Sequence, residues 1–117
     1  MGEALITRRG GNAEIEYYDA VARSSSAATI TLDTNKNYRV FVVDTYYTTS
    51  ASSTGGTRGY YTGTIQAGSG LTAERYEYAD TSTSKLIPTY TQTTGVLTVP
   101  ATGNSAYCCR VYVMEIS

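Results

Sequence analysis

Residues 38–47, Tyr-Arg-Val-Phe-Val-Val-Asp-Thr-Tyr-Tyr, hold the only Phe and the densest β-branched run in the chain, with no Gly or Pro to interrupt them. Val, Phe and Tyr fit a pleated, half-buried surface, so the stretch predicts a central β-strand. Apolar groups fall on both of its faces: Tyr38, Val40 and Val42 on one, Phe41 and Val43 on the other. A near-continuous pattern of that kind predicts a strand covered on both sides. Its second half climbs out of the core through Asp44 and Thr45 to a tyrosine pair. Residues 106–116 repeat the pattern, with Val111 and Val113 on one face and Met114 and Ile116 on the other, and predict a second central strand.

Elsewhere the chain alternates. Residues 28–32 place Ile30 and Leu32 inward and threonines outward. Residues 33–37, Asp-Thr-Asn-Lys-Asn, are types that bond their own backbone in turns. They predict a hairpin joining 28–32 to 38–47. Residues 48–59 have almost nothing to bury and predict a long flexible tip, with Tyr46-Tyr47 and Tyr60-Tyr61 at its base. Residues 60–67 return as a strand with Ile65 as the one strong core residue, and 71–78 form a mixed strand. Residues 85–93 contain Pro88, which cannot donate to a central ladder, and predict an edge strand. Residues 95–100 are short and apolar.

Residues 13–23 fit two patterns. As a strand, Ile15 and Tyr17 alternate with Glu14, Glu16 and Tyr18. As a helix, Asn12 caps the start, the glutamates sit at its positive end and Arg23 at its negative end. The strand is favoured, because adjacent tyrosines suit a sheet and everything downstream is β. Eight or nine short strands separated by Ser, Thr, Gly and Asn turns indicate an antiparallel sandwich or barrel. The organisation predicted is an N-terminal arm or first strand over residues 1–11 and one β-sandwich domain over 12–117.

Composition makes the core unusual. Leu, Ile, Val and Phe supply 20 of 117 residues, about 17%, a fraction that in a strongly charged chain signals disorder. Here nine basic residues nearly cancel ten acidic ones, so the chain folds, with twelve tyrosines supplying the missing apolar area. A chain of this length buries roughly two-thirds of its unfolded surface without metal or disulfide staples. The balanced charge argues against a nucleic-acid partner, since phosphate binding needs a basic field. No apolar run approaches a membrane-spanning helix, so no membrane partner is expected. Residues 4–6 are too short for a signal-peptide core, which predicts cytoplasmic synthesis without the general secretion route.

Candidate chemistry is sparse. The chain has no histidine, which removes Ser-His-Asp and Cys-His nucleophile systems and the commonest general base. Cys108 and Cys109 are neighbours, with Cα atoms about 3.8 Å apart, too close for an ordinary disulfide. They read as two free thiols on opposite strand faces, at least one of them buried. Glu14, Glu16, Glu74 and Glu77 are the carboxylates a glycosidase pair would draw on, yet each lies near another acid or an Arg, as on a solvated face. Asp33, Asn35 and Asn37 alternate as oxygen ligands to calcium would, but a plain turn accounts for them. No enzyme, cofactor or metal is expected.

The opening Met-Gly-Glu-Ala-Leu-Ile-Thr-Arg-Arg-Gly-Gly resembles the start of small structural proteins encoded by phages and prophages of Gram-positive gut bacteria, tail-fibre or minor virion proteins. The glycine run is brief and no collagen-like or coiled-coil segment follows, which implies a compact module and not a long shaft. Jelly rolls recur among virion proteins, so the fold expected is all-β, an antiparallel β-sandwich, jelly-roll-like, with eight or nine short strands. The resemblance implies a tail-fibre, baseplate or capsid-decoration protein located in the virion. Its expected partners are further copies of itself (a homo-oligomer), other virion proteins, and a host-surface glycan. A carbohydrate-binding β-sandwich module is the alternative. For either attachment role the candidate residues are Tyr46, Tyr47, Arg58, Tyr60 and Tyr61, rings at a loop base with one cation beside them.

Overall fold

A computed structural model of the chain describes residues 3–10, 13–46, 57–78, 87–103 and 107–116. Nine strands are present among these residues: β1 (Glu3–Gly10), β2 (Ala13–Ala22), β3 (Ala28–Thr31), β4 (Asn37–Tyr46), β5 (Thr57–Gln66), β6 (Gly70–Tyr78), β7 (Thr89–Thr91), β8 (Val96–Val99) and β9 (Tyr107–Ile116). They form a six-stranded sheet in the order β1-β2-β9-β4-β5-β6 and a three-stranded sheet in the order β3-β8-β7. Every pairing is antiparallel. The all-β sandwich inferred from the sequence is therefore the observed architecture. β4, β5 and β6 are antiparallel neighbours in chain order, and β9 follows the smaller sheet's strands and lies beside β4. That order, 4-1-2-3, is a Greek key, the motif from which jelly rolls are built. Residues 13–22 are strand, as favoured, and β1 is one of the two outer strands of the larger sheet.

The core lies between the sheets. The larger sheet contributes Tyr18, Ala20 and Ala22 from β2, Tyr38, Val40 and Val42 from β4, Tyr61 and Ile65 from β5, and Cys109, Val111 and Val113 from β9. Ala28, Ile30, Leu32, Leu97 and Val99 answer from the smaller sheet and its flank. Along β2 the inward positions are thus the even ones, with Tyr18 buried and Tyr17 half-buried on the other face. β7 is an edge strand, shorter than expected, with Pro88 buried just before it.

Two expectations about the central strands need correction. β4 and β9 are central, but they are not covered on both sides: Phe41 is 38% exposed and Met114 45%. Three strands have one face to offer, and the inner face of the large sheet uses it. Nor does β4 leave the core at Asp44, which is fully buried beside Val42. The Thr45 hydroxyl at the next position donates to the Cys108 carbonyl (3.2 Å), keeping β4 and β9 paired. Both cysteines are free thiols, as expected, and both are buried.

The expected hairpin between residues 28–32 and 38–47 is also absent. β3 pairs with β8, whereas β4 pairs with β5 and β9. Ile30 and Leu32 share the core with Tyr38 and Val40 from the other sheet instead of lying beside them in one sheet, so residues 33–36 carry the chain from one sheet to the other. The turn itself forms as its composition predicts. The Asn35 N–H donates to Asp33 Oδ1 (2.8 Å) and the Lys36 N–H to the Asp33 carbonyl (3.1 Å). Asn37 Oδ1 accepts the Ala67 N–H (2.8 Å), so this side chain too is engaged with backbone. The Leu32 N–H donates to the Gly95 carbonyl (2.7 Å), and at φ +76° a Cβ on Gly95 would lie 2.2 Å from the Leu32 carbonyl oxygen. Only glycine fits where these two turns meet.

A polar network closes the same end of the sandwich. Tyr38 OH accepts the Asp33 N–H (3.1 Å) and donates to Glu16 Oε1 (3.0 Å). Tyr18 OH donates to the same oxygen (3.2 Å), and its ring meets Tyr38 edge-on. Lys36 Nζ lies 2.9 Å from Glu16 Oε2 and 3.6 Å from Glu115 Oε1. Burial, followed by the nearby Glu16 charge, pushes the Tyr18 hydroxyl up to about 12. The Lys36 ammonium, ahead of the two tyrosine hydroxyls, holds the Glu16 carboxyl below its ordinary 4.5. A depressed carboxyl stabilises the fold above the unfolded-state pKa, and that contribution is lost as pH falls through the folded-state pKa. Replacing Glu16 by Gln is therefore expected to cost about 1–2 kcal/mol near neutral pH. In urea denaturation measured from pH 7 downward, the gap to the unsubstituted chain closes below about pH 4.5.

Candidate functional site

The uncovered face of the six-stranded sheet is the candidate site. Strand register alone brings its residues together. Tyr112 lies opposite both Asp19 and Phe41, and Phe41 lies opposite Thr62 on its other side. Phe41 packs on Tyr112 with ring centroids 6.3 Å apart and planes 24° from parallel, and on Tyr60 at 6.4 Å. The three rings form one row across β9, β4 and β5. Met114 and Val43 flank it, and aromatic pairs at these separations attract beyond their shared area.

Two hollows border the row. One, of about 320 Å³, is lined by Thr64, Gln66, Thr72 and Glu74 at the β5–β6 end. Arg39 reaches across β5 to Glu74 (3.2 Å), and the Thr64 hydroxyl donates to the other Glu74 oxygen (2.8 Å). The other, of about 90 Å³, lies between Asp19, Val21, Arg110 and Tyr112. The face thus offers an apolar, ring-lined middle between two polar ends. Such a surface recognises ligands or partners that are themselves part apolar and part hydroxylated or charged.

The residues named from the sequence are dispersed. Tyr60 is on this face. Tyr61 is not: it points into the sandwich with 1% exposure, its ring stacked on Tyr76 (6.3 Å) and lying over Gly63. Neighbours in a strand point to opposite faces, so Tyr60 and Tyr61 cannot form one platform. Burial, then the Glu74 charge, raises the Tyr61 pKa. Tyr46 ends β4 opposite Tyr107. Arg58 is the extra residue of an irregularity, since Asp44 pairs with Gly59 and Thr45 with Thr57. Tyr47 and most of the tip, residues 47–56, lie outside the described residues, and β5 already begins at Thr57.

Glu16, Glu74 and Glu77 do not converge on a cleft, and the Glu14 side chain lies outside the described residues. Glu16 is engaged by Lys36 at the β2 rim, whereas Glu74 pairs with Arg39 and Glu77 with Arg75 (2.6 Å) on β6. β2 and β6 stand four strand spacings apart, roughly 19 Å, well beyond the separations a glycosidase pair uses. Phe41, Tyr112 and Met114 were the residues missed. Their signal lay in parity, because Arg39 shares a face with Phe41, and Arg110 shares one with Tyr112 and Met114. A charged residue on the same face of a strand marks that face as open.

No family model, curated protein or solved structure matches this chain.

Opposite faces of one sheet should respond differently to truncation. Phe41→Ser is expected to change stability by no more than about 1 kcal/mol. Tyr61→Ala, which empties a filled core position, is expected to cost about 3 kcal/mol or more. Urea melts of the two variants check this.

Proposed function

We propose that the chain is a non-enzymatic structural module of a phage particle, a tail-fibre, baseplate or capsid-decoration component. It assembles with itself or with other virion proteins and contacts the host surface. The observation that carries this reading is the open sheet face. Phe41, Tyr60 and Tyr112 are held in a row by main-chain pairing, outside the core and beside Met114. Contiguous exposed apolar surface of this kind marks an interaction site. The virion setting rests on the opening sequence, and the short supply of aliphatic residues suits a module completed by its neighbours.

A second reading uses the same face, as a carbohydrate-binding module. The juxtaposition of the aromatic row with the Thr64, Gln66, Thr72 and Glu74 hollow favours it. A sugar ring has an apolar C–H face for the rings and a hydroxyl rim for the polar side chains. In this reading the binding residues are Phe41, Tyr60 and Tyr112, and the foot of the 47–56 tip is secondary.

Both readings meet one experiment. The chain is sought by antibody in particles purified after prophage induction, and the labelled chain is tested for binding to cells of the host strain. The expected result is a particle-associated protein whose cell binding falls at least tenfold in Phe41→Ser/Tyr112→Ser, with the melting temperature retained. Absence from the particles contradicts the virion reading, and binding untouched by the double substitution contradicts the face. Periodate treatment of the cells abolishes binding if the ligand is a glycan.

A further inference from the structure

We infer that two copies of this chain join edge to edge through β6, making one continuous sheet of twelve strands about a two-fold axis at Tyr76. The inference rests on the self-assembly half of the proposed function and names the surface that performs it. β6 ends the strand order of the large sheet, with no described strand on its outer side. It is nine residues long and contains neither Pro nor Lys, two devices that commonly block such an edge. Its one irregularity is confined to the first half: Thr62 pairs with Arg75 and Gly63 with Ala73, leaving Glu74 as the extra residue. From Arg75 to Tyr78 the strand runs in unbroken register with β5.

The charges on that regular segment select the partner and the register. A two-fold axis normal to the sheet keeps each residue on its own face, so a symmetric antiparallel pair must place some residue opposite itself. Centring on Arg75 sets two arginines face to face, and centring on Glu77 sets two glutamates face to face. Centring on Tyr78 leaves little of the described strand to overlap. Centring on Tyr76 places Arg75 opposite Glu77 of the second copy and Glu77 opposite its Arg75. Within one copy these two side chains already pair at 2.6 Å, and Glu77 also accepts from the Tyr60 hydroxyl, yet they remain 65% and 53% exposed and can be reached by a second copy. Opposite charges directly across a strand pair attract and like charges repel, so this register is favoured over its neighbours. On the other face Tyr76, 44% exposed and stacked on Tyr61, meets its own counterpart. Charges that elsewhere guard an edge against pairing here complement a second copy. The open aromatic face remains free in the dimer and is doubled in extent.

Sedimentation equilibrium of the whole chain from low to high micromolar concentration tests this, with Arg75→Glu, Glu77→Arg and the double exchange. Both side chains are solvent-exposed, and circular dichroism confirms that the variants fold. The expected result is a dimer for the unsubstituted chain and at least a tenfold weaker self-association for each single variant. Dimerisation returns in the double exchange and in an equimolar mixture of the two single variants, whose charges then complement one another. A strictly monomeric mass at high micromolar concentration overturns both this inference and the assembly reading. An oligomer whose mass is the same in all variants overturns the β6 edge alone and leaves assembly through another surface standing.

Discussion

Three strands face six, and most of what this protein can do follows from that imbalance. The smaller sheet seals one face of the larger one, where Tyr38, Val40, Val42, Val111 and Val113 lose essentially all contact with solvent. Burial of such side chains is the main favourable contribution to folding, and it is used up on that face. Among the described residues, the other face has no layer to receive it. Phe41, Tyr60 and Tyr112 pack against one another there instead, half-buried and still available. One strand, β4, therefore serves two purposes by parity alone: its even positions hold the fold together and its odd positions present a surface.

The imbalance also explains the polar network at the turn end. With few aliphatic residues, tyrosines must act as core residues, and a buried phenol needs a partner for its hydroxyl. Tyr18 and Tyr38 place their rings in the core and carry their hydroxyls to its rim, where one carboxylate, Glu16, accepts both. Lys36 compensates the charge. The Asp33 N–H completes the arrangement at Tyr38, so the crossing from the small sheet to the large one is fixed by the same residues that fill the core. β2, the crossing turn and β4 are thereby tied at a single point. The tyrosine-rich composition and the sandwich topology are two aspects of one solution.

Fold class was legible because alternation and turn chemistry are local properties. Ile30 and Leu32 point inward as their spacing requires, and the strand at 13–22 and the edge position of β7 follow from the same kind of signal. Pairing was less legible. The turn at 33–36 has hairpin composition, but whether two flanking strands lie side by side or face to face depends on where β8 and β9 insert, tens of residues later. The site is less legible for a related reason. Adjacent tyrosines look like a pair in sequence and are separated by the pleat in space, so Tyr60 and Tyr61 divide between surface and core. Phe41, being strongly apolar, reads as a core residue. The Arg39 beside it on the same face was the better guide.

Surface, edge and network thus depend on one claim: β4 is central in its sheet yet covered on one side only. Cysteine substitution along β4 tests that claim directly, since both native thiols are buried. The rate of thiol labelling in the folded protein is measured for Val40→Cys, Phe41→Cys and Val42→Cys. Labelling at position 41 at least a hundredfold faster than at positions 40 and 42 is the predicted result. Equal protection at all three positions would mean that a second layer covers the face, and would contradict the account.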